Sequence, residues 1–193
     1  MSNLKPTYHF ISGLPRSGST LLSALLKQNP RFHADMTSAL GALISANIQI
    51  MSPGSEVSLL IEEHQRPLIL KGLMDAYYST MNSDQVVFDT NRSWCARLPL
   101  LNELSAGSKV IACVRDLPWI MDSIERLIRK NPFQNTRLFA SDVDRSTVYA
   151  RVDALARQNS LVGFPFAALK EAFYGEYADN LLLVEYEYLA RTP

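Results

Sequence analysis

Cysteine is nearly absent from this sequence: its 193 residues include two, Cys95 and Cys113. Two thiols build neither a disulfide framework nor a four-thiolate zinc site. Excess charge is absent too, with 19 Lys and Arg against 19 Asp and Glu. That balance excludes a generally basic nucleic-acid or membrane-surface protein and leaves room only for a local basic pocket. Long apolar runs are missing. Residues 39–51, among the longest, include Ser45, Asn47 and Gln49 and fall short of the ~20 apolar residues that span a bilayer. The apolar stretch near the N-terminus is short, contains His9 and has no small-residue cleavage site after it, so it reads as a strand rather than a signal peptide. A cytoplasmic protein with reduced thiols is the expectation. A hydrophobic share of 47% with 20% charged residues argues against a disordered chain. The length suits one domain over residues 1–193, which can bury roughly 70% of its unfolded surface with no staple.

What is present is alternation. Residues 8–12 form a compact β-rich run that breaks at Gly13. Leucines at 21, 22, 25 and 26 then fall on one helical face over residues 19–28. The pair Asn29-Pro30 closes that helix, because a residue before proline avoids the α region. Residues 32–34 suit a short strand and 39–51 a helix. Residues 56–81 look helical with a break or kink at Pro67. The segment 86–88 suits a buried strand ending at Asp89, and 93–104 a helix around Pro99. Residues 109–114 (KVIACV) make the clearest buried strand. Residues 118–129 suit a helix with proline in its first turn. Helical stretches flank Gly163 and Pro165 within 147–177, and 181–184 (LLLV) close as a last buried strand. Continuous apolar strands alternating with helices predict a three-layer α/β fold, its mainly parallel sheet flanked by helices.

The loop after the first strand reads Gly13-Leu14-Pro15-Arg16-Ser17-Gly18-Ser19-Thr20. Strand, glycine-bounded loop and helix are the context of a P-loop, in which backbone N–H groups and a helix N-terminus converge on an anionic oxyacid. Gly13 and Gly18 keep the spacing of the glycines in GxxxxGK[ST]. Ser19 stands in place of the lysine, and the basic residue, Arg16, lies inside the loop. A plain β-α turn with Ser/Thr caps is the blander alternative.

On these residues the chain resembles sulfotransferases that use 3′-phosphoadenosine 5′-phosphosulfate (PAPS), whose 5′-phosphosulfate loop GLPRSGSTLL is similar to. The resemblance implies a P-loop-type nucleotide-binding fold. It also implies that Pro15, Arg16, Ser17, Gly18, Ser19 and Thr20 bind the donor, with Arg16 stabilising charge on the bridging oxygen. A sulfuryl group carries less charge than a γ-phosphoryl group, so no metal clamp is expected. A second segment, residues 109–123 (KVIACVRDLPWIMDS), is similar to the family's 3′-phosphate site: Arg115 at a strand end and Ser123 on the next helix. A guanidinium and a hydroxyl facing one pocket can grip a phosphate monoester, and strand carboxyl ends are where open α/β sheets bind ligands. A third segment, residues 183–189 followed by Pro193, resembles the family's strand plus Tyr-Glu-Asp-Leu. It implies Tyr186 near the adenine, with Tyr188 replacing the usual acidic residue. Members of the family run on past the position of Pro193 through further helices, so the resemblance leaves open a short member or a truncated chain.

The acceptor side carries weaker signals. Transfer to an alcohol or amine needs a general base within reach of the acceptor proton. Asp35 is the first candidate, His33 the second, and a helix N-cap the competing role for Asp35. The glutamate position of the protein-tyrosine branch falls on Thr37. Asp89-Thr90-Asn91-Arg92 resembles the family segment near the sulfuryl group, with Arg92 supplying positive charge to the transition state. The acceptor is expected to be a small molecule or peptide, shaped by residues 36–81 and 147–177, with no nucleic acid as partner and no membrane span. Two readings from other classes stay open: a P-loop kinase or NTPase with a degenerate Walker A motif, for which Asp89 is the Walker B candidate, and a catalytically silent nucleotide-binding module.

Overall fold

The structure is a computed structural model that describes residues 5–131 and 138–191. The first strand, β1 (Thr7–Gly13), leads through the glycine-bounded loop into α1 (Ser19–Leu26), and β2 (Phe32–Ala34) and α2 (Leu40–Met51) follow. A 3-10 turn at Glu56–Leu60 precedes α3 (Gln65–Tyr77). The next unit comprises β3 (Val86–Thr90), a 3-10 turn at Trp94–Arg97, α4 (Leu98–Leu104) and β4 (Val110–Val114). Helices α5 (Leu117–Lys130), α6 (Asp142–Ser146), α7 (Val148–Ala156) and α8 (Gly163–Tyr174) follow. They lead to β5 (Leu181–Glu185) and α9 (Tyr186–Arg191).

All strand pairings are parallel, in the order β2-β3-β1-β4-β5. The chain first fills one side of β1 and then crosses to the other, so the order reverses between β1 and β4. Period-2 alternation sorts neighbouring strand residues onto two faces. Phe10, Val87, Val110 and Ala112 face a core shared with Leu40 and Ile44 of α2, Met74 of α3, Leu101 of α4 and Ala168 of α8. Ile11, Phe88 and Cys113 face the opposite layer, with Leu22 of α1 and Leu189 of α9. A third cluster packs α5 and α7 around Leu14 through Ile120, Ile124 and Leu155. The three-layer parallel α/β architecture expected from the sequence is the one observed.

Several element boundaries differ from expectation. Pro67 breaks nothing: it stands in the first turn of α3, where no intrahelical N–H is required, and the interruption falls earlier, at Ile61–His64. Pro99 likewise sits in the first turn of α4, after a 3-10 turn. Strand β3 runs on through Asp89 and Thr90, because β1 continues beside it to the Ile11↔Thr90 pairing. Helix α6 was not anticipated. Its start is set by Ser141, whose hydroxyl accepts from the Asp144 amide at 3.2 Å, the N-cap arrangement. Strand β5 runs one residue past the expected 181–184, and Tyr186 opens a short helix directly after it. Asp35 is not an N-cap, since α2 begins at Leu40. Pro193 lies outside the described residues.

Candidate nucleotide and sulfuryl site

The loop after β1 is shaped by two close approaches. Gly13 has φ +106°, and a Cβ there would lie 2.2 Å from the Cys113 carbonyl oxygen of β4. Gly18 has φ +96°, and its Cβ would strike the Tyr186 ring at 2.8 Å. Only glycine fits a backbone that is both left-handed and this near its neighbours. Arg16 also adopts a positive φ, 60°, the one non-glycine among the described residues to do so. The Ser17 hydroxyl is buried against the carbonyls of Leu14 and Cys113, 2.8 Å from the latter. It anchors the loop to the sheet and does not line the cavity above. The amides of Arg16 to Thr20 have no acceptor among the described residues, and no side chain caps α1. A run of unsatisfied N–H groups at a helix N-terminus is an anion cradle.

These groups open on a cavity of about 590 Å³, within the size range of small-ligand sites. Its lining includes Pro15, Arg16, Gly18, Ser19 and Thr20 from the loop, Arg115 and Ser123 from β4 and α5, Arg92 after β3, and Tyr186 after β5. The two arms meet: Arg16 Nε donates to Ser123 Oγ at 3.1 Å. Arg115 donates through Nε to Glu187 at 3.0 Å, and its guanidinium carbon lies 4.1 Å from the centre of the Tyr186 ring. Parallel strands explain the convergence, since their carboxyl ends share one edge of the sheet and the order reverses between β1 and β4.

The third strand adds the far wall. Asn91 donates its amide to Ile11 at 3.0 Å. Ser12 Oγ donates to the Arg92 carbonyl at 3.0 Å. Arg92 is thereby held at the cavity with an exposed side chain. Met36, Thr37, Thr90, Asn91 and Leu161 also line it, and none of them was assigned a ligand contact from sequence. Thr37 and Met36 are brought in when Ser38 donates its amide to Thr90 at 3.2 Å.

Asp35 lies beside this cavity rather than in it. It belongs to a second space of about 380 Å³ that shares Thr20, Met36 and Thr37 with the first. Its carboxylate pairs with Lys27 at 3.0 Å and with His33 Nε2 at 3.3 Å. Asp89 is turned inward, 1% exposed. It accepts from Tyr78 Oη at 2.5 Å and from Trp94 Nε1 at 2.7 Å. Burial pushes its carboxyl up, and hydrogen bonds from Ser38, Tyr78 and Trp94 with the nearby His33 oppose that shift. Asp89 therefore joins α3 to the sheet and presents no oxygen to the cavity as a Walker B aspartate would. Among the described residues no group of three or more His, Cys, Asp or Glu is placed to hold a metal ion, and no helix is long and apolar enough to cross a membrane.

Comparison with known proteins gives the family and the fold. A model described as the sulfotransferase family matches residues 9–193. No curated protein matches the sequence. Among solved structures, the sulfotransferase domain of the Synechococcus PCC 7002 olefin synthase is similar, with TM-score 0.53 and 19% identity over 100% of this chain and 71% of that one. The sulfotransferase domain from the curacin biosynthetic pathway gives TM-score 0.56 and 16% identity, with the same shares covered. A sulfotransferase from Alicyclobacillus acidocaldarius gives TM-score 0.55 and 12% identity over 98% of this chain and 76% of that chain. At these identities the likeness establishes the fold, the P-loop NTPase-like α/β architecture.

Proposed function

Since the chain belongs to the sulfotransferase family, we propose that it moves a sulfuryl group from PAPS to a hydroxyl or amine of a small-molecule or peptide acceptor. The observation that carries the choice of donor is that one cavity is lined both by the open amides of the Arg16–Thr20 loop and by Arg115 with Ser123. A nucleotide bearing phosphates at both its 5′ and 3′ positions is the ligand that uses both arms.

In this reading the loop amides hold the 5′-phosphosulfate, and Arg115 with Ser123 holds the 3′-phosphate through charge-assisted hydrogen bonds. Tyr186 borders the adenine. Arg16, already across the cavity from its own loop, lies where negative charge develops on the bridging oxygen, and Arg92 faces the sulfonate oxygens. The acceptor enters from the second cavity, which meets the first at Thr20, Met36 and Thr37. Its oxygen or nitrogen forms a bond to sulfur as the bond from sulfur to the bridging oxygen breaks. Asp35 takes the acceptor proton, and adenosine 3′,5′-bisphosphate leaves. Positive charge comes from the two arginines, so the transfer as proposed uses no metal.

Ligand-induced stabilisation tests the donor. Adenosine 3′,5′-bisphosphate at 100 times its dissociation constant adds about 2.7 kcal/mol, which raises the melting temperature by roughly 5–10 °C for a chain of this size. The same excess of ATP with Mg²⁺ is expected to give a clearly smaller shift. A shift with ATP and Mg²⁺ but none with the bisphosphate would replace this reading with the kinase one.

A further inference from the structure

Sequence assigns no role to the residue after Tyr186, yet it accepts the one hydrogen bond that the Arg115 side chain makes among the described residues. Glu187 accepts from Arg115 Nε at 3.0 Å. The guanidinium carbon lies over the Tyr186 ring, 4.1 Å from its centre, a cation–π distance. Tyr186 in turn is packed on Gly18, where no side chain would fit. The order loop, ring, guanidinium and carboxylate therefore forms a continuous stack from the first cradle to the second. Arg115 is largely covered, with 19% of its side chain exposed, against 36% for Glu187.

An arginine has five N–H donors in a fixed planar fork. Here Nε is used by Glu187, and the Tyr186 ring lies against the guanidinium. Nη1 and Nη2 have no acceptor among the described residues, and Arg115 lines the cavity. A free arginine must give up side-chain entropy when it binds an anion. Arg115 has given up much of it already, and the pair of donors left over is the pair that a phosphate takes in a bidentate grip.

We propose that Glu187 is a positioning residue: by holding Arg115 through Nε against Tyr186, it aims the terminal nitrogens at the 3′-phosphate and sets the preference for nucleotides that carry one. The inference rests on the PAPS reading above. It differs from a model in which Glu187 acts as a resident phosphate mimic that the ligand must displace. A positioning carboxylate stays bonded to Nε when the nucleotide binds, and a competitor leaves.

Two measurements decide it. Calorimetric affinities for adenosine 3′,5′-bisphosphate and adenosine 5′-phosphate give the 3′-phosphate preference of the wild type, of E187A and of E187Q. We expect E187A to lose about tenfold for the bisphosphate, little for the 5′-phosphate, and E187Q, which keeps an acceptor oxygen, to regain most of the loss. Equal affinities in the wild type would defeat the PAPS reading itself. A wild-type preference that persists unchanged in E187A, or tighter bisphosphate binding by both variants, would overturn the role of Glu187 alone. The second measurement needs no variant of Glu187. The Arg115 Nε–H resonance, assigned by its loss in R115K, should be protected from exchange in the free wild type and stay protected with the bisphosphate bound. Its loss of protection on binding would show displacement and contradict positioning.

Discussion

At the scale of single residues, what sequence reveals is backbone demand and charge next to a strand end. Gly13 and Gly18 could be read because they keep the glycine spacing of GxxxxGK[ST] between a strand and a helix, and the structure adds the left-handed backbone and the reason each is confined: a β4 carbonyl for one, the Tyr186 ring for the other. Arg115 and Ser123 could be paired because strand and helix meet at one edge. Glu187 could not, since its partner is 72 positions away in the chain. The general base is the least legible residue. Asp35 pairs with Lys27 and lies against His33 Nε2, so its proposed role is tested by chemistry and not by binding. Asp35→Asn should lower kcat by roughly a hundredfold or more, the typical share for general-base catalysis, with the affinity for adenosine 3′,5′-bisphosphate nearly unchanged. A D35N variant with full turnover eliminates this residue as the base.

At the scale of elements, the strands were the easier part. KVIACV and LLLV announce themselves by continuous apolar sequence, and β4 and β5 lie within one residue of those runs, but β5 is an edge strand with Leu182 and Leu183 exposed, not the buried strand that its sequence suggests. Helix starts were harder, because proline in a first turn looks in sequence like proline that interrupts, as Pro67 and Pro99 show. The helical segment after β4 holds a contact that no local pattern reveals. Glu125 of α5 receives both Nε and Nη2 of Arg151 of α7, at 2.8 and 2.6 Å, and Arg129 Nε at 2.8 Å. The hydrogen bond from Arg151, assisted by Arg129, holds the Glu125 carboxyl at about 2, below its ordinary 4.5. A carboxylate held down in the folded state adds stability above its unfolded value and loses it as pH falls. The wild type should therefore exceed E125Q by on the order of 2 kcal/mol at neutral pH, and the two should converge between pH 4.5 and about 2. Melting curves for both proteins across that window check this, and curves that stay parallel would contradict it.

At the scale of the whole molecule, fold and site are one consequence of strand order. Laying β2 and β3 on one side of β1 and β4 and β5 on the other brings four strand ends to one edge: the loop, Arg92, Arg115 and Tyr186. The sequence could place each motif at a strand end, but only the order of strands brings motifs from opposite ends of the chain to one cavity of about 590 Å³. The acceptor side was illegible for the same reason: packing alone brings Leu161 to the cavity that Met36 and Thr37 line, and their side chains carry no motif. The central claim, that two cradles hold one doubly phosphorylated nucleotide, is tested most directly by a crystal structure of the complex with adenosine 3′,5′-bisphosphate. We predict the 5′-phosphate on the amides of Arg16 to Thr20 and the 3′-phosphate within hydrogen-bond distance of Arg115 and Ser123. A nucleotide bound outside this cavity, or one whose 3′-phosphate points to solvent away from Arg115, would contradict the account.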